Sequence, residues 1–342
     1  MGTESLPGRI RVSSGSAIVL GLLHGRLDAT PTTAYLLTYR ANKCSANCGF
    51  CPQARSSKGR ADRLSRVTWP TFPTQHVLYG IEHAVKTGLV KRVCIQTLND
   101  PTVFNDVLSL TREILSRVDV PISVSCQPFN SDMIQKLAQA GVDRITIPLD
   151  AATKELFERV KGLQIGGPYV WEKQRELLLD AVEIVERGHV GTHLIAGLGE
   201  TEKEIIETIQ WCVDHGVYPG LFAFTPVAGT ALENNPQPPL ISYRRIQLAH
   251  YLITHGKTQY KQMTFTTDGH IVDFGVPEKL MMQVIRSGCP FLTSGCPGCN
   301  RPYYNEKPSG PIYNFPRQPL QEEITMIQRH FGILLPKRLR SS

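Results

Sequence analysis

Cys44, Cys48 and Cys51 form a C-x3-C-x2-C pattern directly after an apolar run that reads as a strand. Three thiolates on one short loop can hold three irons of a [4Fe–4S] cube and leave the fourth iron without a protein ligand. An iron with a vacant position can bind a small molecule and pass it an electron. Zinc is the competing chemistry, but tetrahedral zinc sites usually close with a fourth Cys or His at short range, and the next histidine is His76. A second group, Cys289, Cys296 and Cys299, is spaced C-x6-C-x2-C, with Pro297 and Gly298 shaping a turn. It also suits an iron–sulfur cluster, probed against zinc and a redox dithiol as rivals. Cys296 and Cys299 are the firmer pair and Cys289 is the expected third ligand. No fourth cysteine is evident, so that iron would take a non-cysteine ligand, sulfide or substrate. Cys94, Cys126 and Cys212 are scattered and read as small buried hydrophobes. His193, alone on a strand, reads as structural.

Alternating strand and helix patterns must position these loops. Strands are expected at Ala34–Tyr39, Val90–Thr97, Ile122–Cys126, Arg144–Leu149, Thr192–Ala196 and Gly220–Thr225. The helices between them are expected at Gln75–Thr87, Asp106–Val118, Ser131–Ala140, Lys154–Lys161, Val170–Arg187 and Glu202–Asp214. This alternation predicts an α/β fold, a parallel (β/α) barrel with its functional loops at the strand C-termini. The pattern breaks at Glu233–Pro239. A helix at Tyr243–Thr254 and a β-hairpin over Met263–Asp273, turning at Asp268-Gly269, follow. Ser287–Pro316 is rich in Gly, Pro, Asn and Tyr and cannot build much core alone, so it reads as a disordered tail or a segment pinned by metal. The chain thus divides into an N-terminal extension (1–33), a partial-barrel core (34–232), a barrel-completing region (233–286) and a cluster-bearing segment with the tail (287–342).

The 342 residues are 41% hydrophobic, enough for a sizeable core. Ala17–Leu23 is too short to span a bilayer and lacks a signal-peptide layout. A cytoplasmic protein with no membrane association is expected. Nine cysteines in such a chain argue for metal or redox use over a disulfide framework. The net charge of +7 is spread out, and no aromatic-basic stripe points to nucleic acid. The tail Lys337–Arg340 is basic and reads as a solvated or acidic-partner surface.

At Cys44–Cys51 the chain resembles the radical S-adenosylmethionine (SAM) enzymes, and from about Ala34 to Thr230 their biotin-synthase-like branch. The resemblance implies that the open iron chelates SAM and that SAM is cleaved to a 5′-deoxyadenosyl radical. It implies no catalytic side chain beyond the cluster and SAM. Phe50 matches an aromatic position beside the adenine, with loop packing as its alternative. Ile195-Ala-Gly-Leu-Gly-Glu-Thr201 resembles the GLGE segment of biotin and lipoyl synthases. This gives Ile195, Gly197, Gly199 and Glu200 a place against SAM, the glycines letting backbone approach the ligand; a tight turn alone is the other reading. Asp150 matches a ribose-binding acid or, alternatively, a helix cap. Arg175 is a candidate for the SAM carboxylate or for a surface ion pair. Biotin synthase holds a further [2Fe–2S] cluster with three cysteines and an arginine. Here Cys94 falls on one cysteine position, Ser123 and Gly191 on the other two, and no arginine occupies the late strand around Phe265–Gly269. That cluster cannot be built in the same way.

Thr293–Glu306, containing Cys-Pro-Gly-Cys-Asn-Arg-Pro-Tyr-Tyr-Asn-Glu, resembles one subunit of the two-protein lipoyl synthase system. This implies sulfur insertion into an octanoyl-lysine arm on a carrier protein or peptide, with an auxiliary cluster, [4Fe–4S] in type, as sulfur donor. It further implies a second radical SAM subunit and a reductant protein such as ferredoxin. Ordinary lipoyl synthase carries its auxiliary-cluster cysteines before the SAM triplet, and no cysteine precedes Cys44.

Overall fold

A computed structural model describes residues 5–332; the basic tail Lys337–Arg340 lies outside them. The chain opens with strand β1 (Arg9–Val12), helix α1 (Ser14–Val19) and strand β2 (Thr33–Thr38). A small hairpin of β3 (Arg63–Leu64) and β4 (Val67–Thr68) precedes β5 (Thr71–Pro73). Helices and strands then alternate: α2 (Thr74–Lys86), β6 (Arg92–Gln96), α3 (Val103–Arg117), β7 (Ile122–Ser125), α4 (Ser131–Gln139) and β8 (Arg144–Thr146). Next come α5 (Lys154–Val160), α6 (Trp171–Val185), β9 (Val190–Ala196), α7 (Glu202–Asp214) and β10 (Val217–Ala223).

One eight-stranded sheet runs β10-β9-β8-β7-β6-β2-β1-β5. From β2 to β10 the neighbours pair in parallel and in chain order, while β1 pairs antiparallel with both β2 and β5. Parallel neighbours joined by helical crossovers give the expected α/β partial barrel, with its loops at one end. Strand β8 is shorter than the sequence suggests. Pro148 has no N–H to donate, and Asp150 takes a left-handed φ of +67°.

Burial follows the two sides of the sheet. β9 alternates along its length: Val190, Thr192, Leu194 and Ala196 are buried, while Gly191, His193 and Ile195 face inward, half-exposed. Outside it, α2 packs Val77, Leu78, Ile81 and Ala84 toward the sheet, and α7 packs Ile205, Ile206 and Ile209. Side-chain caps fix where several helices begin: Asn130 for α4, Thr153 for α5, and a Thr201–Glu204 capping box for α7.

After β10, helix α8 (Leu240–Thr254) leads to the antiparallel pair β11 (Thr264–Phe265) and β12 (Ile271–Asp273), then α9 (Glu278–Ser287) and α10 (Gln321–Gly332). Buried Glu202 accepts hydrogen bonds from Arg245 on α8 and from the Ile271 backbone, tying α7, α8 and β12 together. The segment Ser287–Pro316 is not a loose tail: protein side chains hold it. The buried Arg244 guanidinium donates to Tyr313 O (2.7 Å) and Ile312 O and lies over the rings of Phe291 and Phe315. Gln247 donates to the same Tyr313 carbonyl. Among the described residues no helix is long and apolar enough to cross a membrane.

Candidate functional site

The barrel encloses a cavity of about 260 Å3, and Cys44, Cys48 and Cys51 form part of its wall. Their loop is held by backbone bonds: Cys44 N donates to Gln53 O, Cys51 N to Cys48 O, and Gly49 N to Val160 O. Lys43 clamps the following turn by donating to the carbonyls of Pro52 (3.0 Å), Ser57 (2.5 Å) and Gly59 (2.7 Å). A Cβ at Gly49 would come within 2.6 Å of Ile165 Cδ1, so a larger residue there would displace that side-chain end. Burial pushes all three thiols up, Cys51 to about 12. At Cys48 the Lys161 ammonium opposes this. Such thiols ionise when a bound cation compensates the lost hydration, so the donor set fits a cluster. Among the described residues no three His, Cys, Asp or Glu side chains gather as around a single ion. A cube spaces its thiolates more widely, each on its own iron.

Asp150 and Ile195 line the same cavity, as does Phe50. Asp150 N donates to His193 O and Ile195 N donates to Asp150 O, fixing the turn beside β9. One carboxylate oxygen, Oδ2, is paired with Lys161 Nζ at 2.7 Å. The helix-cap alternative for Asp150 does not hold, because Thr153 Oγ1 caps α5 by accepting from Leu156 N. Gly197, Gly199 and Glu200, expected against SAM, do not line the cavity. Both glycines sit at positive φ (+102° and +126°). The Glu200 carboxylate turns back to accept from Gly197 N (2.6 Å) and Leu198 N (3.0 Å). These residues build the tight turn into α7. Arg175 is also elsewhere: its guanidinium stacks on the rings of Trp171 and Trp211, 4.0 Å from the latter's centroid.

Cys296 and Cys299 line the same cavity, together with Cys94 from β6. Tyr35 Oη lies 3.2 Å from Cys299 Sγ and accepts from Arg301 N (3.0 Å). Ser123 Oγ lies 3.2 Å from Cys296 Sγ and accepts from Arg92 Nη1 (2.9 Å). Each oxygen also accepts an N–H, and each hydroxyl lies within hydrogen-bond distance of a sulfur, to which it can donate when that sulfur is a thiolate. Cys289, the expected third ligand, is not part of this group. Left-handed Gly288 ends α9 and turns the chain so that Cys289 Sγ lies 3.7 Å from Ser287 O, outside the cavity wall. His193 lines the cavity, where it meets Phe222 edge-on. Burial lowers its pKa to about 3, so it is neutral.

Sequence reasoning missed Lys161, Tyr35, Ser123 as a sulfur partner, and Arg301. Arg301 packs 3.8 Å from the centroid of the Phe222 ring and donates to Ser294 O. Its place in Cys299-Asn-Arg-Pro-Tyr-Tyr was the one available signal. Lys161 carried none.

The sequence model of the Radical SAM superfamily matches residues 38–212, just over half of the chain. A biotin synthase from Cutibacterium acnes is 23% identical over 228 residues, covering 63% of this chain and 59% of that protein. A GTP 3′,8-cyclase from Lactiplantibacillus plantarum is 23% identical, covering 55% and 53% respectively. The chain thus spans less than two thirds of the length of these relatives. In fold it is similar to methylornithine synthase (TM-score 0.50, 14% identity, 66% of this chain and 63% of that one). It is also similar to the FeFe-hydrogenase maturase HydG from Carboxydothermus hydrogenoformans (TM-score 0.52, 16% identity, 65% and 51%). Triplet, barrel and sequence agree: the chain belongs to the radical SAM superfamily, with biotin synthases among its distant relatives.

Proposed function

We propose that this chain is a radical SAM sulfur-insertion enzyme, one subunit of a two-protein lipoyl synthase. Its substrate is an octanoyl-lysine arm on a carrier protein or peptide. Cys44, Cys48 and Cys51 hold the cluster that binds SAM, and Cys296 and Cys299 hold an auxiliary [4Fe–4S] cluster. When bound, the first cluster with SAM supplies the hydrogen-abstracting radical and the second supplies sulfide.

The observation that carries this reading is that both cysteine groups face one cavity. A carbon activated at one side then has a sulfur source within the same enclosure. Phe50 and Ile195 offer apolar surface to the adenine. Asp150 keeps its Oδ1 without a protein partner among the described residues, suited to accept from ribose hydroxyls. The enclosure keeps water from a reactive intermediate and holds the acyl carbon in place, which are the protein's contributions to such chemistry. A second radical SAM subunit, since two sulfurs are needed, and a ferredoxin-like reductant complete the system.

Anaerobic incubation with SAM, a reductant and an octanoyl-lysyl peptide, with and without the partner subunit, tests this by mass. Addition of sulfur to the peptide is expected; an unchanged peptide under all conditions defeats the assignment. The resemblance to biotin synthases favours a second reading, another biotin-synthase-like chemistry with the second cluster as electron relay. Replacing Cys296 and Cys299 by Ala separates the two. Loss of thiolated product with SAM cleavage intact supports a sulfur donor; loss of cleavage as well supports a relay.

A further inference from the structure

We propose that Cys94, and not Cys289, is the third protein ligand of the auxiliary cluster, beside Cys296 and Cys299. The inference rests on the second-cluster reading above and names its ligand set.

Strand register carries the argument. Tyr35 on β2 pairs with Cys94 on β6, and Cys94 pairs with Ser123 on β7. The three residues form one row across adjacent parallel strands, and registered neighbours in a sheet stand about 5 Å apart. All three side chains face the cavity. The outer two members touch the two sulfurs of the C-terminal loop: Tyr35 meets Cys299, and Ser123 meets Cys296, each at 3.2 Å. The middle member, Cys94, therefore lies opposite the gap between those sulfurs. One strand thiol and two loop thiols thus line one cavity, and a cluster, which takes each thiolate on its own iron, can be reached by thiols spaced more widely than around a single ion. Cys94 has no hydrogen-bond partner among the described residues that would give it another task. Cys289 is turned toward Ser287 O outside the cavity.

The two flanking hydroxyls fit the same picture. Each lies 3.2 Å from a sulfur and can donate its proton there, its oxygen accepting in turn from Arg301 N or Arg92 Nη1. Donors aimed at sulfur favour thiolate over thiol, which is the form a cluster ligand takes.

The test uses the full chain with Cys44, Cys48 and Cys51 all replaced by Ala, so that any bound cluster is the second one. After anaerobic reconstitution about four irons per chain and an EPR signal on reduction are expected. Adding Cys94→Ala removes at least nine tenths of that iron, whereas adding Cys289→Ala leaves iron and spectrum unchanged. Cys94→Ala in the otherwise native chain retains the iron of the first cluster and the native circular dichroism, which shows that the barrel still folds. Cys94→Ser in the triple-Ala background is a near-isosteric second probe and gives shifted g-values or lost iron. Iron that survives both Cys94 substitutions with an unaltered spectrum, or is lost with Cys289→Ala, overturns the ligand set. A triple-Ala chain that takes up zinc or no metal overturns the second-cluster reading itself.

Discussion

Lys161 Nζ stands 2.7 Å from Asp150 Oδ2, with both side chains buried at the barrel mouth. The same ammonium donates to Pro148 O and lies 5.0 Å from the centroid of the Tyr169 ring. Asp150 itself is held in a left-handed conformation, which costs a non-glycine residue about 1 kcal/mol or more. The pair thus anchors a strained turn next to the first cysteine loop. Lys161→Met leaves the Asp150 carboxylate buried without its counter-charge. A loss of about 3–5 kcal/mol is expected, read from urea unfolding midpoints. SAM affinity, measured by equilibrium dialysis, falls with it, because the turn that presents Asp150 to the cavity relaxes.

Hydrogen bonds to cluster sulfurs raise the reduction potential by favouring the more negative reduced state. Tyr35→Phe and Ser123→Ala each delete one hydroxyl placed to donate to such a sulfur. Each is expected to lower the potential of the auxiliary cluster by roughly 40 mV, the equivalent of about 1 kcal/mol in a one-electron couple. Potentiometric EPR on the chain lacking the first triplet reads this. An unchanged potential in both variants contradicts sulfur ligation at Cys296 and Cys299.

Arg244 is the main anchor of the C-terminal strap. Arg244→Met keeps the stem between Phe291 and Phe315 but abandons the carbonyls of Ile312 and Tyr313. Tyr313 O keeps Gln247 as a donor, whereas Ile312 O is left without one among the described residues, at a cost of about 1–3 kcal/mol. Limited proteolysis is expected to cut within 293–316 in this variant while native chain resists. Iron content falls toward that of one cluster.

Buried Glu306 gives a pH dependence of known sign. Burial raises its pKa from the usual 4.5 to about 7. The folded chain therefore binds this proton more tightly than the unfolded chain. The contribution is fully present below pH 4.5, declines from there, and is gone above about pH 7. On that account Glu306→Gln removes a decline on the order of 3 kcal/mol between pH 4.5 and pH 7.5. Urea midpoints of native and variant chains, compared at both pH values, check this. Equal slopes for the two chains refute it.

The first cysteine loop and the alternating elements were legible because their information is local. Spacing within eight residues defines the triplet, and apolar periodicity defines strands and helices. Which cysteines share the cavity with Cys296 and Cys299 was not. Cys289 is close to Cys296 in sequence but beyond a helix end, outside the cavity wall, whereas strand register places Cys94 on that wall, about which spacing says nothing. Asp150 was found as a motif position, yet its partner Lys161 is an ordinary helix-end lysine whose burial only the fold creates. The Gly197–Glu200 turn misled because glycines serve a close ligand and a sharp reversal equally well. Helix α10 carried a readable stripe of Ile324, Ile327 and Phe331, masked by the Pro- and Gly-rich run before it.

Strand β10 is the last of the parallel series and, among the described residues, has no further strand beside it. Ser294 Oγ instead accepts from Leu221 N, and Thr225 donates to Asn305 O, so the strap bearing Cys296 and Cys299 closes that seam. The door and the lock are one piece of chain. One stretch of chain thus both covers the free edge of the sheet and carries two of the thiols lining the cavity, so whatever loosens the seam disturbs those thiols with it.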